Sequence, residues 1–369
     1  MTSRVVDACV FHEWPSTAAL APYLRRGWDE LILRPGDPMG EADPRSTWIV
    51  ADDPMGRKLP GTSPADSHDA GQDLTIDHLF NTSGVSAAVL GFDDGLLASA
   101  FPNYHVAREV VRAANMWTAE EWLSRDERFA AHILVSSAVP EDAAEEIRRA
   151  GSDDRMVGVA LGANGLGRPF GHAVYRPIHR AAAELSLPLV IQVGSDAASD
   201  LTAPPVAGGL PATHAEYRAL ATHSHMSHVA SLIAQGVFEE FPDLKVLLVG
   251  GGASWIPGWL WRLDYWYKST QRELPWLRRL PSDYFRESVR VATYQLERSP
   301  TKQQLATALS ALDGMDEVLI YGSCFPNRDS ESADAVSSRL PEAWRDKVLS
   351  TNALDTYRKS GALALPVAV

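Results

Sequence analysis

Residues 178–193 read IHRAAAELSLPLVIQV, and a second unit of the same kind follows at 229–249, VASLIAQGVFEEFPDLKVLLV. Each opens with apolar residues at helical spacing, breaks at a proline, and ends in an apolar run of strand length. A nearly continuous apolar run is what a parallel strand needs when both of its faces are covered. The proline marks the turn, because it cannot continue a helix and restricts the residue before it. Working outward, runs of the same type recur at Val5–Val10, Ser86–Leu90, Ala131–Val135, Met156–Leu161, Leu189–Val193, Lys245–Val249, Val289–Thr293 and Val318–Tyr321. Strand–helix alternation repeated this many times predicts an α/β protein of the (β/α)8 TIM-barrel type. Periodicity alone leaves a doubly wound open sheet as the alternative. A single domain over residues 1–369 is expected. Residues 35–73, rich in Pro, Gly and Asp, and 195–213, rich in Gly, Pro and Ala, read as loop insertions at the C-terminal mouth.

Composition narrows the function classes. The 369 residues carry a formal net charge of -13, which argues against nucleic acid or an anionic membrane as partner, since both need a basic face. No apolar run approaches the roughly 20 residues that cross a bilayer. The N-terminus lacks the basic, apolar and small-residue segments of a signal peptide. Only two cysteines occur, Cys9 and Cys324, so a disulfide-stapled secreted fold is not expected and a cytoplasmic location is.

Several segments carry a resemblance: VVDACVFHEW at 5–14, LPLVIQVG at 187–194, GVFEEFPDLKVLLVGGGASWIP at 236–257, WLWRLDYW at 259–266, PSDYFRESVRVATYQLE at 281–297 and YGSCFPNRD at 321–329. Together they resemble the amidohydrolase-related family that includes aminocarboxymuconate semialdehyde decarboxylase and the hydroxybenzoate-type decarboxylases. The match spans nearly the whole chain in order, and GVFEEFPDLKV…GGASWIP is its most specific part. The resemblance implies a barrel with its active site at the C-terminal strand ends and one divalent metal, usually zinc or manganese. It also implies decarboxylation of aromatic or unsaturated acids, or hydrolysis of C–N or C–C bonds.

At the positions where the resemblance places metal ligands, this chain reads differently. The His-x-His or Asp-x-His pair that ends the first strand is Cys9 and Phe11 here. The histidine ending strand five is Gln192. The His or Glu after strand six is Gly250. The strand-eight aspartate is Cys324, and the nearby histidine is Asn327. A divalent zinc ion needs about four N, O or S ligands, so the expectation is no zinc or manganese cofactor. His12 follows Phe11 one residue out of phase and is expected to point away from the mouth. Strands one and eight are neighbours in a closed barrel, so the two sulfurs could approach each other. They read as small inert core residues, as a redox-active pair or disulfide, or as a soft-metal site, in that order.

The remaining candidates each have two readings. His12 and Glu13 could form an acid/base pair or orient the loop after strand one. Arg290 and Glu297 could contact a carboxylate substrate or form structural ion pairs. Phe11, Trp255 and Asn327 are candidates for substrate contact. The run THSHMSH holds His223, His225 and His228, and packing is preferred over ligation for it. Trp255, Trp259, Trp261 and Trp266 crowd one helix, and in the family this region contributes to a dimer interface. The favoured reading is an amidohydrolase-like barrel without the catalytic metal site. It would pair as a non-catalytic or auxiliary subunit with an active amidohydrolase or decarboxylase paralogue, or with itself. The alternative is a metal-independent lyase, cyclase or isomerase, acting on a small carboxylate metabolite, aromatic or not, through His12, Glu13, Gln192, Glu297 or Cys324.

Overall fold

The structure, a computed structural model, describes residues 4–32, 68–101, 103–163, 167–193, 213–327, 329–357 and 363. Eight parallel strands lie in sequence order: β1 (Val6–Phe11), β2 (Ala87–Gly91), β3 (Phe129–Leu134), β4 (Met156–Gly162), β5 (Leu189–Gln192), β6 (Val246–Val249), β7 (Val289–Ala292) and β8 (Leu319–Ile320). The sheet closes on itself. The amide of Ala8 donates to the Tyr321 carbonyl at 2.9 Å, Cys324 to Cys9 at 2.8 Å, and Phe11 to Phe325 at 2.7 Å. Closure removes the open-sheet alternative. The most prominent helices are α1 (His68–Ile76), α2 (Tyr104–Trp117), α3 (Pro140–Ala150), α4 (Arg176–Glu184), α5 (Thr222–Ala234), α6 (Ile256–Thr270), α7 (Pro281–Ser288), α8 (Lys302–Leu309) and α9 (Asn352–Thr356).

The apolar runs make two cores because alternate strand residues face opposite ways. Val6, Ala8, Val89, Val157, Val190, Leu247 and Ile320 fill the barrel interior. Their strand neighbours, among them Val246, Leu248, Leu189, Ile191 and Val291, pack outward with Val110, Ile147, Ile178 and Leu232. Helix starts are fixed locally. Asn103 caps α2 by accepting from the amides of His105 and Val106, and prolines occupy the first turns of α3, α4, α6 and α7, where a missing N–H costs nothing.

Differences from the sequence reading have identifiable causes. Strand three begins two residues early, because Phe129 and Ala130 pair with Ala88 and Val89. Strand eight is short: Met315–Val318 is a helical turn, and the Tyr321 amide donates to the Val348 carbonyl at 2.8 Å instead of to a strand. The helical pattern that opens the 229–249 unit stops at Ala234, since Gly236 adopts a left-handed φ of 68° that a helix cannot include. The end of the first insertion, from His68, is helical. Its residues 35–67, and 195–212 of the second, lie outside the described residues. No helix among the described residues is long and apolar enough to cross a membrane.

Candidate functional site at the barrel mouth

Five of the side chains singled out from sequence, those of Cys9, Phe11, Gln192, Cys324 and Asn327, lie at the C-terminal strand ends. At the β1–β8 seam the Cys9 and Cys324 sulfurs lie 2.6 Å apart, and both residues are buried. Burial, first of all, pushes both thiols above their ordinary range, and the nearby Asp7 and Asp93 add to it. Phe11 meets the Tyr294 ring edge-on, with centroids 6.3 Å apart. The Gln192 amide donates to the Phe92 carbonyl at 2.8 Å. This contact links the end of β5 to the loop after β2 and occupies the amide nitrogen.

Beside them runs a polar chain. Asn327 Nδ2 lies 3.2 Å from Asp93 Oδ2 and 3.2 Å from the Tyr294 hydroxyl, which donates to Asp329 at 2.9 Å. The carboxylate next to Asn327 can only accept, so the amide nitrogen faces it. Asn327 Oδ1 is buried and has no hydrogen-bond partner among the described residues. Asp93, Tyr294 and Asp7 were missed by the sequence reading. Asp93 and Tyr294 each sit two residues past a strand end, and a scan of those positions would have found them.

The other candidates have different work. His12 points away from the mouth, as its phase predicted. Its Nδ1 donates to the Gly91 carbonyl at 2.8 Å, its Nε2 accepts from Thr118 at 2.8 Å, and its ring is stacked between Phe92 and Trp117. The Glu13 carboxylate accepts from the amides of Asp93 and Gly95, at 2.8 and 2.9 Å, and so shapes the loop after β2. A Cβ on Gly95 would lie 2.7 Å from that carboxylate and 2.8 Å from the Trp14 ring, so only glycine permits the approach. Trp255 packs edge-on against Trp259 and Phe285 in the helical layer.

Of its two readings, Arg290 takes the structural one: its guanidinium faces the Asp355 carboxylate at 3.6 Å. It is the second residue of β7 and lies at the barrel's base, because strand polarity puts early positions opposite the mouth. Its guanidinium donates to the carbonyls of Arg286, Glu287 and Val289 at 3.0, 3.2 and 2.9 Å, which closes the end of α7. Glu297 likewise grips backbone. It accepts from the amides of Ala253 and Ser254, at 3.0 and 3.1 Å, and from the Ser254 hydroxyl at 2.7 Å, ahead of the first turn of α6. Glu297→Ala is expected to cost about 2 kcal/mol, the range for hydrogen bonds to a charged group. The check is the denaturant midpoint, with Glu297→Gln losing less because it keeps one acceptor oxygen.

The histidine run does not converge. His223 is exposed. His225 Nε2 donates to the Gly250 carbonyl at 2.8 Å. His228 accepts from the Phe170 amide at 3.1 Å and donates to the Ala163 carbonyl.

Zinc or manganese would have to be held by Cys9, Phe11, Gln192, Gly250 and Cys324. These offer two protonation-favoured thiols already in contact with each other, a neutral amide tied to backbone, a phenyl ring and no side chain at all. That set does not fit manganese, a hard dication that takes carboxylate, imidazole and water oxygen, and it offers zinc at most two sulfurs of the four ligands zinc takes. Among the described residues, no three His, Cys, Asp or Glu side chains cluster so as to hold a metal ion.

An eight-stranded parallel barrel with its polar groups gathered at the C-terminal mouth defines the architectural class. The family follows from comparison: the amidohydrolase profile matches residues 81–359, and the chain belongs to that family. It is 28% identical over 296 residues to the gamma-resorcylate decarboxylase of Rhizobium sp. (strain MTP-10005), an alignment covering 77% of this chain and 86% of the relative. Among solved structures it is similar in fold to 5-carboxyvanillate decarboxylase from Sphingomonas paucimobilis, with a TM-score of 0.68 and 20% identity over 97% of this chain and 99% of the other. The 5-carboxyvanillate decarboxylase of Novosphingobium aromaticivorans, complexed with manganese and a nitrobenzoic acid, matches with a TM-score of 0.65 and 19% identity over 97% of this chain and 96% of that one.

Proposed function

We propose that this chain is an amidohydrolase-family barrel that does not use the metal centre of its decarboxylase relatives and serves as a non-catalytic or auxiliary subunit. It would pair with a metal-dependent decarboxylase paralogue or with itself, in the cytoplasm. The observation that carries this reading is the contact of Cys9 with Cys324, 2.6 Å between sulfurs, at two of the positions that ligate in the family. Most of the other candidate groups support it, because their polar atoms hold backbone: Glu13, Gln192, Arg290 and Glu297 each bind main-chain amides or carbonyls. Pairing is supported by Trp261, Tyr265 and Trp266 on α6, exposed by 56%, 65% and 50%, since aromatic residues are enriched at interfaces.

The test is elemental analysis beside native mass measurement, on protein produced with manganese and zinc in excess and then dialysed. The expected result is metal well below one ion per chain, an oligomer, and no decarboxylation of gamma-resorcylate or 5-carboxyvanillate with manganese added. Stoichiometric tightly bound metal, or manganese-dependent turnover, would sink the proposal.

One observation favours the alternative of a metal-independent enzyme. The buried, unpartnered Asn327 Oδ1 beside Asp93 and Tyr294 is placed to accept a hydrogen bond from a hydroxyl of a small molecule. Turnover of a hydroxylated aromatic acid that survives a chelator, and is lost in Asn327→Leu, would establish that reading instead.

A further inference from the structure

We propose that Cys9 and Cys324 form an oxidative modification site, in which a hydroperoxide joins the two sulfurs into an intrachain disulfide across the seam where the barrel closes. Three observations carry this. The sulfurs are 2.6 Å apart. The backbone holds them there, because the Cys324 amide donates to the Cys9 carbonyl at 2.8 Å and the Phe11 amide to the Phe325 carbonyl at 2.7 Å. The parallel bridge of Val10 with Phe325 keeps the two segments side by side, the close backbone approach that a disulfide needs. Finally, the chain has no other cysteine, so no competing intrachain pairing exists.

The chemistry balances in two steps. One cysteine sulfur attacks a peroxide oxygen and the O–O bond breaks. The departing oxygen takes a thiol proton and leaves as water or an alcohol, and a sulfenic acid remains. The second sulfur then attacks the sulfenic sulfur: the S–S bond forms, the S–O bond breaks, and hydroxide leaves with the second proton as water. The two sulfurs together lose two electrons and the peroxide gains them.

The surroundings set the character of the site. Burial and the neighbouring Asp7 and Asp93 disfavour thiolate at both positions, which slows attack by either sulfur. The disulfide removes both ionisable groups from a pocket that resists charge. It is correspondingly shielded from reductants until the chain unfolds. The bond would join residues 315 apart in sequence and constrain the unfolded chain over most of its length, the case in which a cross-link stabilises most. The expected gain in melting temperature is about 5 °C.

This inference stands apart from the question of catalysis, and its test does not use activity. Fully reduced, folded protein is incubated with hydrogen peroxide. Samples are then denatured in an alkylating agent and analysed by intact mass and peptide mapping. The expected result is paired loss of both alkylation sites, appearance of a linked Cys9–Cys324 peptide that a reductant separates in denaturant, and the rise in melting temperature. Cys9→Ala and Cys324→Ala should give neither the linked peptide nor the rise. The wild-type map decides the question even where a variant fails to fold. Full alkylation of both cysteines after peroxide exposure, or sulfinic and sulfonic acids without a linked peptide, would overturn the proposal.

Discussion

Acidification from pH 6.5 towards 4 is expected to cost the folded state about 4 kcal/mol per pH unit. Four buried histidines drive this. Burial holds His132 and His179 down to about 3, and His225 and His228 down to about 4. A neighbouring basic group adds to burial at the first three by opposing a second proton: the His12 imidazole beside His132, the Arg176 guanidinium beside His179 and the His228 imidazole beside His225. In the unfolded chain each imidazole takes up a proton near 6.5, whereas in the folded chain it stays neutral until pH 3–4. The unfolded state therefore binds more protons in this window, and stability complete above pH 6.5 is lost as pH falls. Asp7 acts with the opposite sign. Burial raises its carboxyl to about 6, so the folded state takes that proton first and gains stability between pH 6 and 3.8.

Four histidines less one aspartate leave about three protons at pH 5, each worth about 1.4 kcal/mol per pH unit. Against a typical total of about 5–15 kcal/mol, acid unfolding should be complete well above pH 3. Urea midpoints followed by circular dichroism at pH 7, 6 and 5 measure this. Midpoints that stay level over the range would mean that these imidazoles are not held neutral. His228→Gln, which keeps a donor and an acceptor, should flatten the slope by about one third.

Truncating Trp117 is expected to be the most damaging single core change next to the mouth. Trp117→Ala should cost about 4 kcal/mol, within the range for a buried aromatic cut back to alanine, and lower the melting temperature by about 5 °C. Trp117 is 1% exposed and ends α2. It covers one face of His12, with centroids 5.5 Å apart, while Phe92 covers the other at 4.3 Å, and it meets Trp122 edge-on at 6.4 Å. Its removal opens a cavity against an imidazole whose nitrogens both need their hydrogen bonds, so loss of packing and loss of polar order fall together. Leu74→Ser, at a position 40% exposed on α1, should stay within about 0.5 kcal/mol. A midpoint for Trp117→Ala as close to wild type as that of Leu74→Ser would refute the packing described here.

The strand pattern carried the fold because burial on two faces leaves a mark that each run bears by itself. LPLVI and VLLV are apolar throughout, and the observed β5 and β6 begin within one residue of the expected positions. The approach of Cys9 to Cys324 was also legible, since closing eight strands makes the first and last neighbours. Arg290 was left between a substrate contact and a structural ion pair because its match to a family segment says nothing about which end of the strand it occupies. Only the direction of β7 puts it at the base, against the carbonyls of α7. Glu297 was legible as an acidic residue past a strand end, but not as the group that holds the amides of Ala253 and Ser254. Those amides point at it only because Gly250, Gly251 and Gly252 all take left-handed backbone. Asp93 and Tyr294 escaped notice because the side-chain direction of a residue just past a strand depends on the loop, not on the alternation within the strand.

By itself the sequence determined the strand–helix alternation, the family likeness and the residue types at Cys9, Phe11, Gln192, Gly250 and Cys324. Each of these is a matter of residue type at a position in a local pattern. Only the tertiary structure decided what the replacements do: the two sulfurs touch, Gln192 ties β5 to the loop after β2, and Asn327, Asp93 and Tyr294 form one polar chain. These contacts join residues as far apart as 9 and 324. They arise when the strand ends are brought to a common rim, a condition that no local stretch of the chain encodes.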